Sequence, residues 1–280
     1  MQYLFFLLAF IGLVVGSYTD FKTREVPDWI SYGLIFLGIF INIIYSIIIG
    51  SVMPTIHSFF GLAIATSIAL IMFYLGEWGG GDSKMIMAIG AIIGMGFSLD
   101  SFFLNFLINT FFIGAFYGFF YGLILAFKNL KRFKKEFKGL YHKKKYSFVR
   151  KIMLAVSGLL IFLSLFFSRY IMIHFLILSL ICIIAYFLII FAKTIEKCCM
   201  LKEVSPAKLT EGDWIAKDVF VKGKRICGPK DLGISAEQIE MLKKSKIKKV
   251  LMKEGIPFIP SFLISFCVSY FFGNIIFLLF

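Results

Sequence analysis

The chain has 280 residues, of which 60% are hydrophobic, with a mean hydropathy of +0.90 and a formal charge of +14. A soluble domain is about 45–50% apolar, so one aqueous core cannot hide this excess and most of the chain is dissolved in lipid. The cations cluster between apolar segments, which is the pattern of membrane topology, and nothing in the chain resembles a module that reads nucleic-acid bases.

A helix needs about 20 apolar residues to cross the hydrocarbon core. Taken in order, the runs 2–19, 29–50 and 56–76 are followed by a shorter one, 83–98, and then by 101–127, 152–168, 171–192 and 257–279. The first run has no basic stretch before it and no A-x-A-like site after it, so it is expected to stay as a helix. The short run carries Ala88, Gly90, Ala91 and Gly94, small residues that permit close packing. If every run crosses and residue 1 lies outside, all Lys and Arg residues except Arg169 fall on one side. The positive-inside rule makes that side cytoplasmic.

Two polar segments interrupt this pattern. Residues 128–151 hold eleven cations and the single acid Glu136, a polybasic stretch expected to rest on anionic lipid head groups. Residues 193–256 are long enough for a small folded insert. A hairpin is expected around Lys222-Gly223-Lys224, and Ser235 with Gln238 makes a capping box for a helix reaching about Lys244. KKVLMKE is expected to return as a strand. The expected fold is therefore an all-α polytopic membrane protein of about eight transmembrane helices with a small cytoplasmic α+β insert. Its parts are a core at 1–127, the polybasic loop at 128–151, a helical hairpin at 152–192, the insert at 193–256 and a final span at 257–280.

Chemistry is confined to few residues. Cys182, Cys198, Cys199, Cys227 and Cys267 form no C-x-x-C pair and read as free thiols. H-E-x-x-H is absent, and His57, His142 and His174 are scattered, so no metal or cofactor is expected. Acids near a membrane are costly and hence candidates for function. The first 127 residues contain Asp20, Glu25, Asp28, Glu77, Asp82 and Asp100, and all except Asp100 fall at the cytoplasmic ends of the first four runs. Two facing carboxylates can share a proton, one acting as base on a water while the other donates to a carbonyl. Such a pair must come from separate rigid elements, and Asp20 and Asp82 meet that condition. Gly79, Gly80 and Gly81 precede Asp82 and permit unusual backbone angles or the close approach of another chain. Asp82 also suits a helix N-cap after a flexible turn, and that reading stays open.

Gly79-Gly80-Gly81-Asp82-Ser83-Lys84 resembles the GxGD signature of the type IV prepilin peptidase family and its archaeal preflagellin peptidase branch. Asp20-Phe21-Lys22-Thr23-Arg24-Glu25-Val26-Pro27-Asp28 resembles that family's D-x5-[IV]-P-[DN] loop, and Gly255-Ile256-Pro257-Phe258-Ile259-Pro260 is similar to the start of the last span in archaeal members. The resemblance implies Asp20 and Asp82 as the catalytic pair. Gly79, Gly80 and Gly81 would shape the backbone, and Lys22, Pro27, Asp28 and Lys84 would support the motifs. It further implies a multi-pass aspartic endopeptidase, active at the cytoplasmic face, that removes the class III signal peptide from prepilin-like or archaellin precursors, with an archaeal type IV pilus precursor favoured. The two C-x-x-C pairs of many bacterial relatives are missing, as is a glycine-rich unit for a methyl donor, so peptidase activity alone is expected. Presenilin-like proteases share GxGD but place the first aspartate deep within a span. The competing class is a polytopic transporter or scaffold, whose acids would be a proton relay or plain interfacial residues.

Overall fold

The computed structural model describes residues 2–98, 100–221, 223–245 and 247–278. It is mostly helical. Among the described residues, six helices are long and apolar enough to cross a membrane: α1 (Gln2–Thr23), α2 (Asp28–Ile49), α3 (Met53–Tyr74), α5 (Phe102–Lys128), α7 (Lys144–Ser164) and α8 (Arg169–Ile195). Their large apolar side chains point outward. Phe36 is 68% exposed and Ile47 is 76% exposed, which water would not tolerate but lipid does.

Two of the expected spans come out shorter. The runs 83–98 and 257–279 form α4 (Gly80–Ile93) and α10 (Ile259–Phe272), each of 14 residues. At about 1.5 Å per residue each covers roughly 21 Å, less than the hydrocarbon thickness of about 30 Å. The cause is local: Gly94 and Gly273, each at φ +69°, end the two helices in a backbone conformation that other residues avoid.

The chain forms two compact units. The first comprises residues 1–121, 209–246 and 254–280. Its centre is α4, packed against α2 and α3 and, less extensively, α1, with Met85, Ile86, Ala88, Ile89, Ala91 and Ile92 fully buried. The expected close packing occurs here: a Cβ on Gly90 would stand 2.6 Å from the Gly61 carbonyl oxygen, and one on Gly38 would stand 2.8 Å from the Ile92 nitrogen. A helix that ends inside protein at membrane depth leaves carbonyls unpaired. Asn42 Nδ2 donates to the carbonyls of Ala91 and Ile92 at 3.3 and 3.1 Å, and the Ser58 hydroxyl donates to Ala91 at 2.6 Å.

Outside the membrane helices, this unit holds β2 (Trp214–Ile215), the antiparallel hairpin β3 (Val219–Val221) and β4 (Lys224–Cys227), and α9 (Ala236–Lys244). The hairpin falls where Lys222-Gly223-Lys224 suggested, although Lys222 itself lies outside the described residues. The capping box is formed: Gln238 N–H donates to Ser235 Oγ at 3.2 Å, and Ser235 N–H donates to Gln238 Oε1 at 2.9 Å.

The second unit comprises residues 122–208 and 247–253. The polybasic stretch is helical, forming α6 (Leu130–His142) and the first turns of α7. Phe133, Phe137 and Tyr141 stack in a row on one face of α6, with Phe133 against Phe191 of α8. Lys131, Arg132, Lys134, Lys135 and Lys138 are exposed. The α7–α8 hairpin is joined by a buried hydrogen bond of 2.6 Å between the Ser157 and Ser179 hydroxyls. Strand β1 (Leu201–Val204) pairs antiparallel with β5 (Val250–Lys253), the return strand expected from KKVLMKE. All five cysteines are free thiols.

The tight α3–α4 crossing gives a first test. Gly90→Val should destabilise the protein by more than the ~1–3 kcal/mol typical of overpacking, because the obstructing atom is backbone. Gly33→Val, where a Cβ meets nothing within 4 Å, should change little; thermal unfolding in detergent reads both.

Candidate active site

Asp20 lies in the last turn of α1 and is 6% exposed. Its Oδ2 accepts the backbone N–H of Ile259 at 3.0 Å. Ile259 is the first residue of α10, so this carboxylate caps a helix N-terminus, where partial positive charge favours an anion. The segment 255–260 thus supplies a direct partner for Asp20, which no pattern in the sequence revealed.

Asp82 lies at the third position of α4. Its Oδ2 accepts the Gly79 N–H at 2.9 Å, so Gly79 is the N-cap and Asp82 reaches back to it. The alternative of Asp82 as the N-cap itself is corrected by this register. Asp20 is close enough to act electrostatically on Asp82, although the two come from separate helices.

The two motif loops are fastened together at two points. Gly81 lets Val26 approach: a Cβ on Gly81 would meet the Val26 nitrogen and Cγ2 at 3.3 Å. Gly79 and Gly80 have no such neighbour, since a Cβ would make only an ordinary 3.5 Å contact with Asp82 at the first and meet nothing within 4 Å at the second. None of the three has positive φ, so the unusual backbone angles expected of them are absent, and the close approach occurs at Gly81 alone. Lys84 forms an ion pair with Asp28, at the start of α2, and its ammonium lies 5.3 Å from the Tyr32 ring centre. Pro27 precedes α2 as its N-cap residue at φ −56°. Lys22 is exposed, with its ammonium 5.7 Å from the Tyr18 ring, and makes no hydrogen bond or ion pair to either aspartate.

Beneath the loops sits an aromatic support. Trp78 is 3% exposed and packs on Phe111, Phe258 and Phe262 at centroid distances of 6.3, 6.2 and 5.3 Å. Phe258 also contacts Tyr117, at 6.4 Å.

The arrangement also gathers residues that sequence reasoning missed. Arg24 is the only residue other than glycine with positive φ among the described residues, at +63°. Its Nη2 donates to the Tyr121 hydroxyl at 2.9 Å, its guanidinium lies 5.8 Å from that ring, and its charge acts on Asp20. The Tyr117 ring packs at a tilt against Tyr121, with centroids 6.0 Å apart, and also feels the charge of Asp20. Backbone strain of this kind tends to collect at functional sites. The only sequence signal for Arg24 was its position inside the first motif; Tyr117 and Tyr121 sit in a uniformly apolar, aromatic helix with no signal at all.

Among the described residues, no group of three or more His, Cys, Asp or Glu side chains is placed to hold a metal ion. Two carboxylates, at the end of α1 and the start of α4, are the acidic groups that the two motifs bring near each other.

Residues 7–130 match the type IV leader peptidase family. Over 88 residues the chain is 35% identical to preflagellin peptidases of Methanococcus voltae and Methanocaldococcus jannaschii, and 33% identical to that of Methanococcus maripaludis. Each match covers 31% of this chain and 37 or 38% of the relative. The chain therefore spans well under half the length of the curated relatives it matches.

The supports of the site differ sharply in expected weight. Trp78→Ala should cost about 3–5 kcal/mol, as for other buried aromatic truncations. Lys84→Ala should cost under ~1 kcal/mol because Asp28 is 64% exposed and solvent screens the pair. Denaturant unfolding of the purified variants measures both.

Proposed function

We propose that this chain, whose residues 7–130 match the type IV leader peptidase family, is a membrane aspartic endopeptidase acting through Asp20 and Asp82. The observation that supports this most is the convergence of these two carboxylates, from the end of α1 and the start of α4, to within electrostatic reach of each other. In that chemistry one ionised carboxylate takes a proton from a water, whose oxygen attacks the scissile carbonyl carbon. The protonated partner donates to the carbonyl oxygen. Collapse of the tetrahedral intermediate then expels the amine, which takes up a proton from the pair. No metal or organic cofactor enters these steps.

The substrate class is a prepilin-like precursor carrying a short leader ahead of an apolar segment. The charge asymmetry of the sequence supports a cytoplasmic position for the site. A type IV prepilin is the favoured substrate, and the names of the similar proteins make an archaellin precursor the second reading. The exposed cations of α6 suit anionic lipid head groups. A transporter fits less well, because transporter sites lie near mid-membrane, whereas these acids sit at helix ends.

Purified protein in lipid should cut a short-leader precursor, and Asp20→Asn and Asp82→Asn should each abolish turnover while leaving the fold intact. Cleavage against pH should follow a bell whose limbs belong to the pair. Unimpaired cleavage by either Asn variant would remove the aspartic mechanism; failure of the folded wild-type protein on both precursor types would remove the substrate class.

A further inference from the structure

Residues 209–246 belong to the same compact unit as the helices that carry Asp20 and Asp82, and their first turn touches both motif loops. The Thr210 hydroxyl donates to the Glu25 carboxylate, in the loop that follows Asp20. The Trp214 indole stands over Gly76, in the loop that precedes Asp82, where a Cβ would lie 2.9 Å from Trp214 Cη2. Gly76 has φ +74°, so glycine is required there both by the backbone and by the indole.

The turn is itself stiff. Asp213 Oδ2 accepts the Thr210 N–H at 2.8 Å, and Asp213 N–H donates to the Thr210 carbonyl at 3.2 Å. Gly212 N–H donates to the Ile234 carbonyl, and Ile234 N–H donates to the Asp213 carbonyl, each at 2.9 Å. Ile234 is buried and precedes the capped start of α9, so the turn is anchored on a folded element. Burial pushes the Asp213 carboxyl above the ordinary carboxylate range; the Thr210 backbone and side-chain hydrogen bonds oppose this, and Glu25 and Glu254 add to it.

We propose that the 209–215 turn is a positioning clamp for the aspartate pair, with Thr210 and Trp214 as positioning residues that act through Glu25 and Gly76. The inference rests on the endopeptidase reading and gives the extramembrane insert a role in it. The loop after Asp20 and the loop before Asp82 are each held by the same short rigid turn. Their separation, and hence that of the two carboxylates, is fixed from outside the membrane helices. A displacement of about 1 Å at a reacting group can cost roughly 100-fold in rate, so a device that fixes this separation acts on turnover more than on substrate affinity.

The test compares Thr210→Val with Thr210→Ser, and Trp214→Ala with Trp214→Phe, in the full chain in lipid. Thr210→Val and Trp214→Ala should lower kcat about 10- to 100-fold with KM little changed. They should also narrow the pH–rate bell, because weaker coupling brings its two limbs together. Thr210→Ser and Trp214→Phe should restore most of both. Amide hydrogen exchange supplies a readout that needs no turnover: the Val and Ala variants should exchange faster at 24–26 and 75–82. Wild-type kcat, bell width and exchange in the Val and Ala variants would overturn the clamp, as would a loss of activity that merely tracks the unfolded fraction. Faster exchange in a protein whose wild type cuts neither precursor would overturn the endopeptidase reading and leave the clamp standing.

Discussion

A helix that ends inside a membrane protein must have its terminal backbone groups satisfied by protein, since lipid offers no partner. That constraint shapes the site. Helix α4 ends among Asn42 and Ser58, which take its last carbonyls, and begins with Asp82 reaching back to Gly79. Helix α10 begins against Asp20. Each aspartate therefore satisfies the amino end of a short helix, and these two helix starts bring both carboxylates to one place. Capping is compatible with the proposed catalysis, because the capping bond holds each carboxylate by Oδ2 in a fixed direction, and a fixed direction is what a pair acting on one water needs.

The forces that hold this geometry are unequal. The ion pair between Lys84 and Asp28 links the two motifs visibly, yet it lies in solvent and contributes little. The close approach of Val26 to Gly81 and the burial of Trp78 among Phe111, Phe258 and Phe262 carry more, because packing in a dense core is not screened. Arg24 stands apart: it adopts a strained backbone angle and extends its guanidinium to Tyr121 beside Asp20.

Much of this was legible in the residues. Apolar run length located the long helices within a few positions, except that α7 starts eight residues earlier, at Lys144 in the polybasic stretch, and the capping box at Ser235 and Gln238 located α9. Run length failed where a helix stopped inside an apolar stretch: a single glycine barely lowers the hydropathy averaged over a run, and the stops at Gly94 and Gly273 are backbone events. The helix α6 did carry a signal, with Phe133, Phe137 and Tyr141 spaced four apart, but its charge density obscured it. At the site, the two aspartates and their glycines stood out as motifs. The roles of Tyr117, Tyr121, Ile259 and the 209–215 turn depend on contacts between segments about 90 or more residues apart, which no local pattern encodes. In the approach to Asp82, positive φ falls at Gly76 and not at any of the three glycines directly before the acid.

The central claim is that Asp20 and Asp82 act on one water between them. The most direct measurement is the binding of a leader-peptide analogue in which a hydroxyl-bearing tetrahedral carbon replaces the scissile carbonyl, to wild type and to each Asn variant. Because such analogues gain most of their affinity from groups that serve the transition state, wild type should bind it at least ~100-fold more tightly than Asp20→Asn or Asp82→Asn. Equal affinity for all three proteins, with the unmodified leader peptide still bound, would contradict the account.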